Sequence, residues 1–117
     1  MKFEYATFSV VARGAFYKEY ENFCTCGDVE PAPDLECAFG MTGLAFIKIL
    51  KESIFKNGTN TRELSVSEFD NLCGEAFEKA TEDMDNIMVR IGMLGFLANI
   101  TVEIKRYYGM VNDKEEE

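Results

Sequence analysis

Ile87-Met88-Val89-Arg90-Ile91-Gly92-Met93-Leu94-Gly95-Phe96-Leu97-Ala98 is the stretch on which the fold turns, because every residue in it except Arg90 is apolar or glycine. A helix that is hydrophobic all round is expected in the middle of a bundle, covered on several sides. Twelve residues with a charge among them are too few to span a bilayer, so no transmembrane segment is expected here. From Asn99 the pattern turns amphipathic, and it ends near Tyr107-Tyr108-Gly109. The expectation is a central hydrophobic helix over about residues 86–108.

Working outward, periodicity is helical almost everywhere and strand alternation is convincing nowhere. Upstream of the central helix, Ser65-Val66-Ser67-Glu68 has capping-box spacing, a hydroxyl at the cap and a carboxylate three residues on. Behind it, Phe69, Leu72, Cys73, Ala76, Phe77 and Ala80 recur at i, i+3, i+4, i+7, i+8 and i+11, the clearest amphipathic pattern in the chain. Before that lies a helix from Leu35 to about Lys56, capped by Asp34 and stopped by Asn57-Gly58. Gly40 and Gly43 inside it suggest a bend or a division in two. The first segment, Lys2 to about Phe23, groups Phe3, Ala6, Val10, Tyr17 and Tyr20 near one face, which Phe8, Val11, Ala12, Ala15 and Phe16 widen. Gly14 within it suggests close approach of a neighbouring backbone. Cys24 to Asp34, with both prolines of the chain, reads as a loop.

The chain has 117 residues, 21 acidic against 12 basic, a formal charge of −9 and no histidine. This fits one domain over residues 1–109 with an acidic tail over 110–117. Nothing supplies the basic stripe that nucleic-acid binding needs, the longest basic run being Lys105-Arg106. The missing histidine closes off the usual triads and removes the commonest neutral metal ligand. Of the cysteines, Cys24 and Cys26 are spaced more tightly than a zinc knuckle, and Cys37 and Cys73 stand alone on helical patterns. No metal or cofactor is expected. The acidic N-terminal residues lack an apolar signal run, so a reducing compartment and free thiols are expected.

Arg90 poses the sharpest question. A lone guanidinium in an apolar helix needs an anion or the surface, since burying it unpaired is costly. Two readings stay open: an ion pair with Glu82, Asp83 or Asp85 or snorkelling out of the core, and a charge at the floor of a groove awaiting a partner's carboxylate. The ten phenylalanines and six methionines exceed what a small core needs, and such residues lining a groove suit an amphipathic helical ligand. Glu82-Asp83-Met84-Asp85 is read as acids favouring a helix N-terminus rather than as a catalytic cluster.

Residues 77–91, from Phe77 through Glu82-Asp83-Met84-Asp85-Asn86 to Arg90-Ile91, resemble the first homology region of the Bcl-2 family. There an amphipathic helix and an acidic turn lead into an Asn-Trp-Gly-Arg-Ile-like opening of a central hydrophobic helix. The likeness is to its short viral members, of the iridoviral apoptosis-inhibitor type. Phe39-Gly40-Met41-Thr42-Gly43-Leu44-Ala45-Phe46 more weakly resembles the family's own death-motif (BH3) helix. Leu44 stands where that motif has aspartate, so the chain is not expected to act as a death ligand.

The resemblance implies an all-α Bcl-2-like bundle, possessing no enzymatic activity, that sequesters host pro-apoptotic proteins by holding their BH3 helix in a hydrophobic groove. Arg90 would pair with the ligand's aspartate. Phe46, Ile49, Leu50 and Ile54 would form one wall, Phe69, Leu72 and Phe77 the other, and Met93 and Leu97 the floor. Met88 and Val89 replace the family's Trp-Gly before the arginine, and Val89 should tighten the groove. The last family helices are missing from the pattern, which leaves two readings open: the chain is trimmed there, or a second copy covers what they would, as a homodimer. The implied location is the host-cell cytoplasm, with mitochondria reached through partners. The alternative is a scaffold of the same fold that modulates host innate signalling without binding BH3 helices, its groove closed and Arg90 paired internally.

Overall fold

Residues 1–25 and 33–110 are described by the computed structural model. They form β1 (Lys2–Glu4), α1 (Tyr5–Thr25), α2 (Pro33–Ile54), β2 (Thr61–Glu63), α3 (Val66–Thr81) and α4 (Ile87–Tyr107), with a single 3-10 turn at Lys56–Gly58. The architecture is an all-α helical bundle. To the helices is added one two-stranded antiparallel ladder, in which Phe3 faces Arg62.

That ladder corrects the expectation of a helix from Lys2. Lys2 and Glu4 point outward and Phe3 inward, a period of two that three residues are too few to announce. The terminal amine donates to the Leu64 carbonyl at 2.8 Å and the Tyr5 amide to the Asn60 carbonyl at 2.9 Å, so the start of the chain is tied to the α2–α3 connection. Phe3 is thereby buried against Phe8, Phe69 and Tyr108, with ring centroids 5.9, 5.3 and 4.6 Å away. On α1 the buried residues are Phe8, Ala12, Ala15 and Phe16, while Val10 and Tyr17 face outward. The set that widened the expected stripe is the true core face.

α2 is continuous from Pro33 to Ile54, neither divided nor begun at Asp34. Pro33 suits the first turn, where its missing N–H costs nothing, and Asp34 and Glu36 favour the dipole there. Its glycines serve packing instead of bending. A Cβ on Gly43 would lie 2.5 Å from the Phe16 ring, so glycine lets α1 and α2 close on each other. Gly14, by contrast, has nothing within 4 Å of a built Cβ, and no backbone approaches it. Asn57 and Gly58 adopt left-handed φ of 61° and 73°, which ends the helical run as the Asn-Gly signal implied.

α3 carries the expected capping box in full: Ser65 Oγ accepts from the Glu68 amide at 3.1 Å, and Glu68 Oε1 accepts from the Ser65 amide at 3.0 Å. α4 packs against all three other helices, as a central helix would. Its cover is nevertheless one-sided. Met93, Phe96, Leu97, Ile100, Thr101 and Ile104 are buried, while Ile87, Met88, Ile91, Leu94, Gly95, Ala98 and Val102 are exposed. Three neighbouring helices cannot surround a fourth, so an all-round apolar sequence ends as a half-covered helix. With 21 residues and a mean hydropathy of 1.6 in its best window, α4 is long and apolar enough to cross a membrane, against the expectation from its first twelve residues.

The acidic tail and Cys26 lie outside the described residues, apart from Met110, whose amide donates to the Lys105 carbonyl at 2.8 Å.

Candidate functional site

Asn86 caps α4, its Oδ1 accepting from the Met88 and Val89 amides at 3.0 and 3.2 Å. This fixes the first turn and with it the direction of Arg90, one turn further along. Arg90 is half-buried. Among the described residues the ion pairs are Met1–Glu63, Lys18–Glu103, Lys105–Asp70 and Arg106–Glu103. Glu82, Asp83 and Asp85 do not reach Arg90, and among the described residues its guanidinium has no hydrogen bond or ion pair, while its backbone amide donates to the Asn86 carbonyl at 2.9 Å. Its helical neighbours at i−3 and i+4 are Ile87 and Leu94, 70% and 36% exposed. Met88, at 73%, and Ile91, at 59%, are exposed on the same turns but lie further round the helix from the cation. A guanidinium in that setting offers five donors to a carboxylate, next to surface that gains by being covered.

The residues expected to line a groove are brought together, but largely as core. Phe46, Leu50, Ile54, Phe69, Met93 and Leu97 are fully buried, and Ile49, Leu72 and Phe77 are partly so. The two intended walls meet: Phe46 and Phe77 stack at 5.0 Å between α2 and α3. A ligand could reach the six only by separating α2 from α3. Of the expected site residues, Met88 is exposed and Val89 and Arg90 are half-exposed, all on the opening turns of α4.

The phenylalanine surplus is also absorbed by the core. Phe23 stacks on Phe39 at 4.2 Å, Phe39 meets Phe96 at 5.3 Å, and Phe16 meets Phe96 at 6.3 Å, joining α1, α2 and α4. What the periodicity missed lies on the outside. Arg13 of α1 and Lys48 and Lys51 of α2 line one hollow with Ser9, Leu44 and Ile47. Lys51 Nζ donates to Ser9 Oγ at 3.3 Å and sits 5.2 Å from the centre of the Tyr5 ring. No run of basic residues announces this grouping, because two helices contribute to it. A second, shallow groove between α1 and α4, of about 550 Å³, is lined by Val10, Gly14, Lys18, Glu103, Arg106 and Tyr107.

Cys24, Cys37 and Cys73 are free thiols. Burial pushes the Cys73 thiol up to about 12. A hydrogen bond with Glu36 raises the Cys24 thiol. Neither has the lowered value of a reactive nucleophile. Among the described residues no three Cys, Asp or Glu side chains converge as a metal site would require. Comparison with family models, curated proteins and solved structures returns no match.

Proposed function

We propose that the protein works by binding an amphipathic helix of another protein on the opening turns of α4, in the manner of a viral-type Bcl-2-like inhibitor that sequesters the BH3 helix of pro-apoptotic proteins. One observation carries this reading: Arg90 has no anionic partner among the described residues and shares its side of α4 with exposed Ile87 and Leu94, the residues at i−3 and i+4. An incoming helix with apolar residues at i, i+3 and i+7 and one carboxylate among them complements that arrangement. The apolar contact supplies most of the affinity, and the arginine–carboxylate pair fixes register. No step of chemistry is involved, and the implied setting is the host-cell cytoplasm, with mitochondria reached through partners.

Because the α2–α3 walls are closed, the docking surface in this proposal is the outer side of α4 rather than a trough between α2 and α3. Calorimetric titration with a panel of BH3 peptides tests it. Saturable binding by some peptides is expected, weakened about tenfold or more by Arg90→Glu and less by Arg90→Lys, with unchanged circular dichroism. Equal affinity for wild type and Arg90→Glu would count against the role of Arg90.

The closed walls favour a second reading, a Bcl-2-fold scaffold that modulates host innate signalling without engaging BH3 helices. Silence across the whole peptide panel is its expected outcome.

A further inference from the structure

Two stretches of this acidic chain carry positive charge alone. Residues 5–18 of α1 and 37–51 of α2 contain Arg13, Lys18, Lys48 and Lys51 but none of the 21 Asp and Glu. Ser9 and Arg13 lie about one turn apart on α1, and Leu44, Lys48 and Lys51 follow at i, i+4 and i+7 on α2. Where the helices pack, these faces enclose a hollow of about 130 Å³ lined by Ser9, Arg13, Leu44, Ile47, Lys48 and Lys51. We propose that this hollow is a binding site for a phosphate monoester, its phosphoryl group held by Arg13, Lys48 and Lys51.

The charge there is uncompensated. None of the three cations is ion-paired among the described residues. No carboxylate lines the hollow, and Glu52 edges only the adjoining cleft, which it shares with Tyr5, Phe55 and the two lysines. Like charges gathered on one surface repel, Lys48 and Lys51 on one helix face among them. An anion between them turns that repulsion into attraction.

Lys51 is also held in place. Its Nζ donates to Ser9 Oγ at 3.3 Å and stands 5.2 Å from the centre of the Tyr5 ring. The Ser9 hydroxyl in turn donates to the Tyr5 carbonyl at 2.8 Å, so Ser9 is a positioning residue. The Lys51 ammonium keeps two N–H groups for a ligand, beside three from Lys48 and the five-donor fork of Arg13. That inventory suits phosphate better than carboxylate. A phosphate monoester carries close to two negative charges at neutral pH and three acceptor oxygens, against one charge and two oxygens for a carboxylate.

The hollow is small, so the rest of the ligand must lie outside it. A second hollow meets it at Ser9 and Arg13 and continues past Val10 and Gly14 to Tyr17. Val10 and Tyr17 are 73% and 58% exposed, and a Cβ on Gly14 would meet nothing within 4 Å. An apolar or aromatic group therefore finds a bare floor beside an aromatic ring. The ligand class is a phosphate monoester of such a group, supplied either as a small soluble molecule or as a lipid headgroup of the phosphatidic acid kind. The site lies on α1 and α2 and does not rest on the reading of α4.

Phenyl phosphate, titrated calorimetrically at low ionic strength, is the soluble probe. Flotation with vesicles containing phosphatidic acid is the lipid arm, and circular dichroism is the fold control. Phenyl phosphate should bind one site with a dissociation constant of about 1 mM or tighter. Benzoate should bind about tenfold more weakly. Arg13→Glu and Lys48→Glu should each weaken phenyl phosphate by about tenfold or more, and Ser9→Ala by about threefold, with helicity intact. Tyr17→Ala should weaken phenyl phosphate and leave inorganic phosphate unchanged. Lys79→Glu, the same change of charge on α3, should alter neither. Flotation of wild type but not of Arg13→Glu, beside soluble binding, would assign the source to a lipid, and soluble binding alone to a small molecule. Phenyl phosphate unsaturated at about 10 mM would overturn the site. So would benzoate bound as tightly as phenyl phosphate, or Lys79→Glu weakening binding as much as Arg13→Glu.

Discussion

Cys73 and Tyr108 show how single buried groups couple this fold to pH. The Cys73 thiol, sunk between α3 and α4, is pushed up by desolvation from an ordinary 9.0 to about 12. Tyr108, whose ring lies on Phe3 and whose hydroxyl finds no partner among the described residues, rises from 10.0 to about 12. In both cases the unfolded chain releases its proton first. Above pH 9 the native state therefore binds more protons than the unfolded state, and stability falls as pH rises toward 12. Below pH 9 this contribution is fully present. Thermal melts across pH 7–11 should show a melting temperature that declines above pH 9, with a shallower decline in Cys73→Ala. Tyr108→Phe, which removes an unsatisfied buried hydroxyl, should hold or raise stability, by up to about 1 kcal/mol. A melting temperature flat to pH 11 would contradict both assignments.

At the scale of elements, α3 and α4 behave differently because their ends and faces are encoded differently. Both ends of the Ser65–Glu68 capping box are hydrogen-bonded, which holds the Glu68 carboxyl below its ordinary value, chiefly through the Ser65 backbone amide. Ser65→Ala should cost about 1 kcal/mol in chemical denaturation, the usual worth of an N-cap hydroxyl. The sign with pH is opposite to that of Cys73. A depressed carboxylate stabilises the fold above its ordinary value, and that stabilisation is lost as pH falls through the lower, native one. Glu68→Gln should flatten the acid limb of the melting profile relative to wild type, and an unchanged limb would show that the cap carries no charge-dependent stability. α4 has an equally definite start at Asn86, but its apolar residues run all round, so nothing local says which half will be covered. Its neighbours decide, and three helices cover one side only.

Across the whole molecule, what was legible in the sequence was what depends on near neighbours along the chain. The positions of α2, α3 and α4 follow from periodicity and from the signals at Ser65, Asn57-Gly58 and Tyr107-Tyr108-Gly109, and the all-α bundle follows from them. What was hidden depends on distant parts meeting. Phe3 becomes a strand residue only because Arg62 lies opposite it. Arg13 joins Lys48 and Lys51 only because α1 and α2 pack together. Phe46, Leu50 and Phe69 carry the same apolar pattern whether they line an open trough or fill a core, and here they fill it. Arg90 was the site residue most visible in advance, since a single charge in an apolar run stands out in any fold. Its lack of an ionic partner among the described residues is a property of the assembled helices, as is the exposure of Ile87 and Leu94 on its side of α4.

The measurement that bears most directly on α4 as the binding surface is chemical-shift mapping of the labelled protein during titration with an acidic amphipathic BH3 peptide. The expected result is a saturable set of shifts centred on Ile87–Ala98, with Arg90 among the largest and the fully buried Phe69 and Leu50 little changed. Shifts concentrated along α2 and α3, or none at any peptide concentration, would contradict it.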